Sequence, residues 1–194
     1  MPRMAARGFS LVEVLFASAL AITMVGLALP VFDRSADDIR TAMATRYLAG
    51  RIHAARLEAL KRGTAIALRF ELEPRGYRFT PYADGNGNGV RAADIAAGTD
   101  RPAGAAERLE DKFRDVTFGL LPGIPDADGA VSTNPDGVRI GSARILTLSP
   151  DGTATPGTLY LHGRRAQYAV RVLGVTARTR VLKFEKGARR WITR

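Results

Sequence analysis

The chain contains no cysteine in its 194 residues, so no disulfide supports the fold, although an oxidising compartment is permitted. Its two histidines, His53 and His162, lie far apart with no thiol or carboxylate at ligand spacing. That argues against a zinc site. Most of the twenty glycines and ten prolines come after residue 60, which points to a helical first third and a turn-rich, β-dominated remainder. Charge is almost absent between Phe9 and Phe32, where Glu13 is the only ionisable side chain. Acids are almost absent from the end. Residues 162–194 hold ten Lys/Arg against Glu185 alone, whereas residues 9–161 balance 17 Lys/Arg with 18 Asp/Glu. The net charge of +10 therefore belongs to the last 33 residues together with Arg3 and Arg7.

The apolar run of residues 9–32 would be about 36 Å long as a helix, enough to cross the ~30 Å hydrocarbon layer of a bilayer. Arg3 and Arg7 set the N-terminus in the cytoplasm and the rest outside. A carboxylate inside such a span costs about 2.5–3.5 kcal/mol, so Glu13 marks a function by default. A secretory signal peptide cut after Ala17-Ser18-Ala19 fits poorly, because its apolar core would be short and interrupted by Glu13. A plain signal anchor would have no use for the acid.

Arg7-Gly8-Phe9-Ser10-Leu11-Val12-Glu13, followed by the apolar helix, resembles the class III signal of type IV pilins and type II secretion pseudopilins. The resemblance implies a leader of residues 1–8, cleavage between Gly8 and Phe9 by a prepilin peptidase, and N-methylation of Phe9. It also implies an assembly role for Glu13, which would pair with the α-amine of a neighbouring subunit and fix axial register. Such an amine titrates near 7.7–8.0 when unperturbed, so it would be a cation able to neutralise the acid. The implied partners are other pilin or pseudopilin subunits, the peptidase, and an inner-membrane assembly platform.

Beyond Phe32, residues 33–62 are rich in helix formers, and Pro30 should bend the helix that joins the two parts. Ala44, Leu48, Ile52, Ala55 and Ala59 fall on one stripe at helical spacing. Gly63, after Lys61 and Arg62, is the expected stop. The period then changes to two. Residues 64–72 and 77–82 read as a hairpin around Glu73-Pro74-Arg75-Gly76, and further strands are expected at 115–121, 144–148, 158–161, 167–173 and 180–185. Asp84-Gly85-Asn86-Gly87-Asn88-Gly89 and Leu146-Thr147-Leu148-Ser149-Pro150-Asp151-Gly152 make the chain similar to the GspH/FimT group of minor pilins and pseudopilins. The fold class implied is α+β: a long N-terminal helix packed on an antiparallel C-terminal β domain of two sheets, with residues 63–194 forming that domain.

Three chemistries are open to the remaining residues. Asp84-x-Asn86-x-Asn88-Gly89 copies the first half of a calcium loop, with Asp94 as a late ligand, yet position twelve is Ile95. The same residues make tight turns without an ion, and both readings stand at this level. Catalysis finds no support. Ser10 and Ser149 lack a histidine at a meaningful spacing, Asp37/Asp38 and Glu110/Asp111 read as solvated faces, and Gly85-x-Gly87-x-Gly89 is not a nucleotide loop. No cofactor is expected. The basic end, with Lys186, Arg189, Arg190 and Arg194 as candidate DNA contacts and Trp191 and Tyr168 available for stacking, has three readings. Gly187-Ala188-Arg189-Arg190 is similar to a basic segment linked to DNA uptake in some FimT-like minor pilins. The alternatives are edge strands protected by cations and a face meeting an acidic partner.

Overall fold

The computed structural model describes residues 9–130 and 134–194, without the side chains of Val25 and residues 27–31. The expected leader, Gly8 included, lies outside the described residues. Ser10 opens helix α1 (Leu11–Arg62) by accepting the Glu13 N–H on its hydroxyl at 3.3 Å. Ser10-x-x-Glu13 thus has the spacing of a capping box, a start signal that the class III resemblance overshadowed in the sequence. At the other end Lys61 and Arg62 occupy the last turn, and Gly63 follows at φ +66°, the left-handed stop that glycine adopts without strain. The helix continues through Pro30, whose side chain lies outside the described residues.

The chain divides into two compact units, Met1–Ala36 and Asp37–Arg194, and α1 contributes to each. In the first unit Phe9, Leu11, Val12, Phe16 and Ile22 are exposed. Among the described residues no helix is long and apolar enough to cross a membrane, and the span expected over residues 9–32 includes side chains outside that description.

In the second unit every member of the expected stripe, Ala44, Leu48, Ile52, Ala55 and Ala59, is buried. Each large member contributes about 1.5–3 kcal/mol by leaving water, and the alanines let strands approach the helix closely. Strands β1 (Ile66–Glu73) and β2 (Gly76–Ala83) form the expected hairpin in full register, Ile66 opposite Ala83 through Glu73 opposite Gly76. After the short helix α2 (Ala92–Ala96) come the two-residue strands β3 (Arg101–Pro102), β4 (Glu107–Arg108), β5 (Thr117–Phe118) and β6 (Val138–Arg139). The longer β7 (Ile145–Leu148), β8 (Gly157–His162), β9 (Gln167–Val172), β10 (Thr179–Glu185) and β11 (Arg190–Thr193) complete the chain.

Among the described residues these strands make two antiparallel sheets. One has the order β3-β2-β1-β7 with β4 also on β2; the other has the order β11-β10-β9-β8-β5 with β6 also on β8. The helix stripe shares one core with Ile66, Leu68, Phe79 and Leu148 of the first sheet and with Leu159, Leu161, Val170 and Val172 of the second. The α+β class expected from the sequence is the observed one. The far face of each sheet is covered as well. Val90 and Ile95 pack on Ala67 and Ile145, and Leu120 and Ile124 pack with Phe184 on Tyr160 and Ala169. Burial on both faces gives β8 and β9 nearly continuous apolar runs where a half-exposed strand would alternate. Two expectations are corrected here. The strand expected over 115–121 pairs only at Thr117–Phe118, because the chain leaves the sheet at Gly119 to begin the covering loop. The basic tail, given no strand, contributes β11, which pairs with β10 from Leu182–Thr193 to Glu185–Arg190.

Candidate functional site

Phe9 is exposed just before the first turn of α1, and Glu13 is exposed within that turn. In that turn the backbone N–H groups lack helical acceptors, so a carboxylate is favoured there by about 0.3–1 kcal/mol. The charge stands at the end of the apolar run, where it can meet a cationic partner.

Asp37 and Asp38, read from the sequence as a solvated face, anchor the helix to the second sheet. Asp37 is 4% exposed. Its Oδ1 accepts the Arg164 N–H at 2.8 Å, and its Oδ2 accepts those of Arg165 and Ala166 at 2.9 Å each. Three successive amides of the β8–β9 turn thus form a nest around one carboxylate. Burial works to raise its pKa, but those three hydrogen bonds and the nearby Arg40 charge outweigh it, and the net shift is downward. Glycine is required at position 163, because a Cβ there would sit 2.2 Å from Asp37 Oδ1. Asp38 receives Lys183 Nζ at 2.9 Å and the Tyr168 hydroxyl at 3.0 Å. Glu110 is not solvated either. Its Oε1 accepts the Thr117 hydroxyl at 2.5 Å.

The four residues of the half calcium pattern share one loop. Asp84 is buried; its Oδ1 accepts the N–H groups of Asn86 and Gly87, and its Oδ2 that of Gly89. The effect of burial on its pKa is again overridden by backbone donors, leaving it lowered. Asn86 Oδ1 accepts the Asn88 N–H, and the Asn88 amide donates to Asp94 at 3.1 Å. Asp100, 1% exposed, closes the loop by accepting from Gly85 and Arg91. Among the described residues no group of three or more His, Cys, Asp or Glu could hold a metal ion.

Much of the basic end is engaged in folding. Arg164 pairs with Asp115, Arg171 with Asp128, Lys183 with Asp38, and Arg194 with Glu185. Arg194 is therefore not a free cation. Lys186, Arg189 and Arg190 stand exposed on the β10–β11 hairpin without an ion pair among the described residues, and Arg189 closes its turn at φ +48°. The aromatic residues expected to stack on bases are occupied. Trp191 packs against Tyr160 and Phe184 and donates Nε1 to the Pro125 carbonyl at 3.0 Å. Tyr168 is buried with its hydroxyl on Asp38.

A family model described as type II transport protein GspH matches residues 44–176. The chain belongs to the GspH family. That match spans the helix stripe, the first sheet, the Asp84 loop and β5, β6, β8 and β9 of the second sheet, and it ends before β10. Gly8, Phe9 and Glu13 lie outside it, as do the cations of the β10–β11 hairpin. No curated protein sequence matches the chain. Among solved structures the chain is similar to the minor pseudopilin EpsH from the type 2 secretion system of Vibrio cholerae. The TM-score is 0.46 at 15% identity, covering 74% of this chain and 97% of that one.

Proposed function

We propose that this GspH-family chain is a minor pseudopilin, cleaved by a prepilin peptidase between Gly8 and Phe9 and assembled through Glu13 and the apolar part of α1 into a type II secretion pseudopilus or a type IV pilus. The observation that carries the reading is Glu13 itself. It is the sole charge in an exposed apolar run, placed in the first helical turn, five residues after Gly8. In this reading the first part of α1 holds the chain in the inner membrane, with the β domain outside the cytoplasm. Extraction then needs the Glu13 charge to be neutralised, and the methylated amine of Phe9 on a neighbouring subunit supplies the cation.

Replacing Gly8 by a bulky residue should leave an unprocessed membrane protein on immunoblots, and normal processing would refute the cleavage site. Glu13→Ala should insert normally yet be missing from sheared filaments; undiminished incorporation would refute the pairing role.

A second reading, a FimT-like DNA-binding minor pilin, is favoured by Lys186, Arg189 and Arg190, exposed cations without an ion pair among the described residues. The full chain in detergent would then bind duplex DNA with a salt slope that falls by about 0.9 for each cation removed. Binding indifferent to their combined replacement by alanine would dismiss it.

A further inference from the structure

Where the second half of α1 meets the β9–β10 turn, a recess is lined by His53, Arg56, Ala177, Arg178, Thr179 and Arg180. Every titratable residue at this surface is basic, and none makes an ion pair or a side-chain hydrogen bond among the described residues. Elsewhere on the domain most cations have found an acid. Arg56 Nε is buried without an acceptor, a state that costs free energy and calls for a partner. The backbone makes the recess at some expense. Ala177 is 3% exposed at φ +48°, a left-handed conformation disfavoured for any residue with a Cβ. Burying that methyl in the core brings Arg178 and Thr179 against the helix, and strain of this kind gathers at functional sites. Arg180, exposed on the next strand, completes the lining.

We propose that this recess receives a carboxylate from another subunit of the assembly, held by Arg56 and Arg178 with Thr179 as a further donor. An arginine fork matches a carboxylate in two parallel hydrogen bonds. The surroundings favour a protein over a nucleic acid. Leu57 and Leu60 are exposed one helical turn beyond His53 and Arg56, so the cations are flanked by apolar side chains. Among the described residues no aromatic side chain lines the recess to stack on a base. The occupant is an acidic residue with apolar neighbours on a partner subunit. This rests on the assembly reading above.

The test is photo-cross-linking in cells that assemble the filament, using the full-length chain with p-benzoylphenylalanine at Leu57. The expected product is a cross-link to another subunit whose peptide contains Asp or Glu. Arg178→Glu, an exposed change that leaves the core intact, should lower its yield about tenfold or more. Changing the mapped acid to Lys in the Arg178→Glu background should restore it. A product with nucleic acid or lipid, a peptide without an acid, or a yield indifferent to Arg178→Glu would each overturn the proposal. Sheared-filament blots of the same cells separate the cases: an incorporated chain without the cross-link refutes the recess alone, whereas a chain missing from filaments refutes the assembly reading.

Discussion

Asp37 shows how one side chain can decide the relation between two elements. The acid lies 127 residues from the first of the amides it binds, so nothing in its local sequence separates it from the exposed acids of other helices. Its role follows from a turn of four residues, Gly163-Arg164-Arg165-Ala166, whose three successive N–H groups converge where glycine leaves room. Asp37→Ala would leave three partly buried N–H groups without their acceptor and should lower unfolding free energy by about 2 kcal/mol. Gly163→Ala should destabilise similarly, because its methyl would displace the same carboxylate. The two losses should be far from additive, since both remove one interaction. A thermal double-mutant cycle reads this coupling directly; additive losses would show that the nest contributes little. Glu13 differs in kind, because its position beside Gly8 is read from sequence alone.

The loop between β2 and β3 is an element made by carboxylates. Asp84 and Asp100 accept five backbone N–H groups between them and thereby hold Val90 and Ile95 over Ala67 and Ile145 of the first sheet. Both Asp84 oxygens face amide donors, the arrangement of a tight turn. Asp100→Ala should therefore reduce stability by about 2 kcal/mol, while millimolar calcium should leave the melting temperature of the unmodified chain unchanged. Differential scanning calorimetry with calcium and with chelator checks both, and an upward shift with calcium would favour the metal reading over the turn. The glycines and asparagines made the loop visible in the sequence. They did not say whether its acids face an ion or the backbone, because both uses draw on the same residues. In the last hairpin β10 was legible over 180–185, but β11 was not: its cations suit DNA contact, a protected edge strand or a face for an acidic partner, and only its pairing with β10, Phe184 opposite Trp191, makes it a strand.

For the whole domain, stability should fall at both ends of the pH scale. Asp37, Asp84 and Asp136 all have lowered folded pKa values, their burial overridden by hydrogen bonds and, for Asp37 and Asp136, by nearby arginine as well. Each contributes stability that is complete above the ordinary value of 3.8 and is lost as pH drops through the lower folded values. Tyr77 has the opposite sign. Burial, then its hydrogen bond to Asp136, pushes it up to about 12, so its contribution is complete below pH 10 and disappears as pH rises from there towards 12. Denaturant melts across pH should show both declines, and Tyr77→Phe should flatten the alkaline one and, by removing the hydroxyl that donates to Asp136, weaken part of the acid one as well. An unchanged alkaline limb would assign that decline to another group, such as Lys183, which is also raised, its Asp38 contacts outweighing burial. By itself the sequence determined the long helix, its buried stripe and the first hairpin, because each is set by spacing along a few turns or one strand pair. Tertiary structure alone decided which charges are paired: Asp37 and Lys183 find their partners only once the helix and sheets are packed and Arg194 only once the β10–β11 hairpin closes, while among the described residues Arg56, Arg178 and the hairpin cations have none.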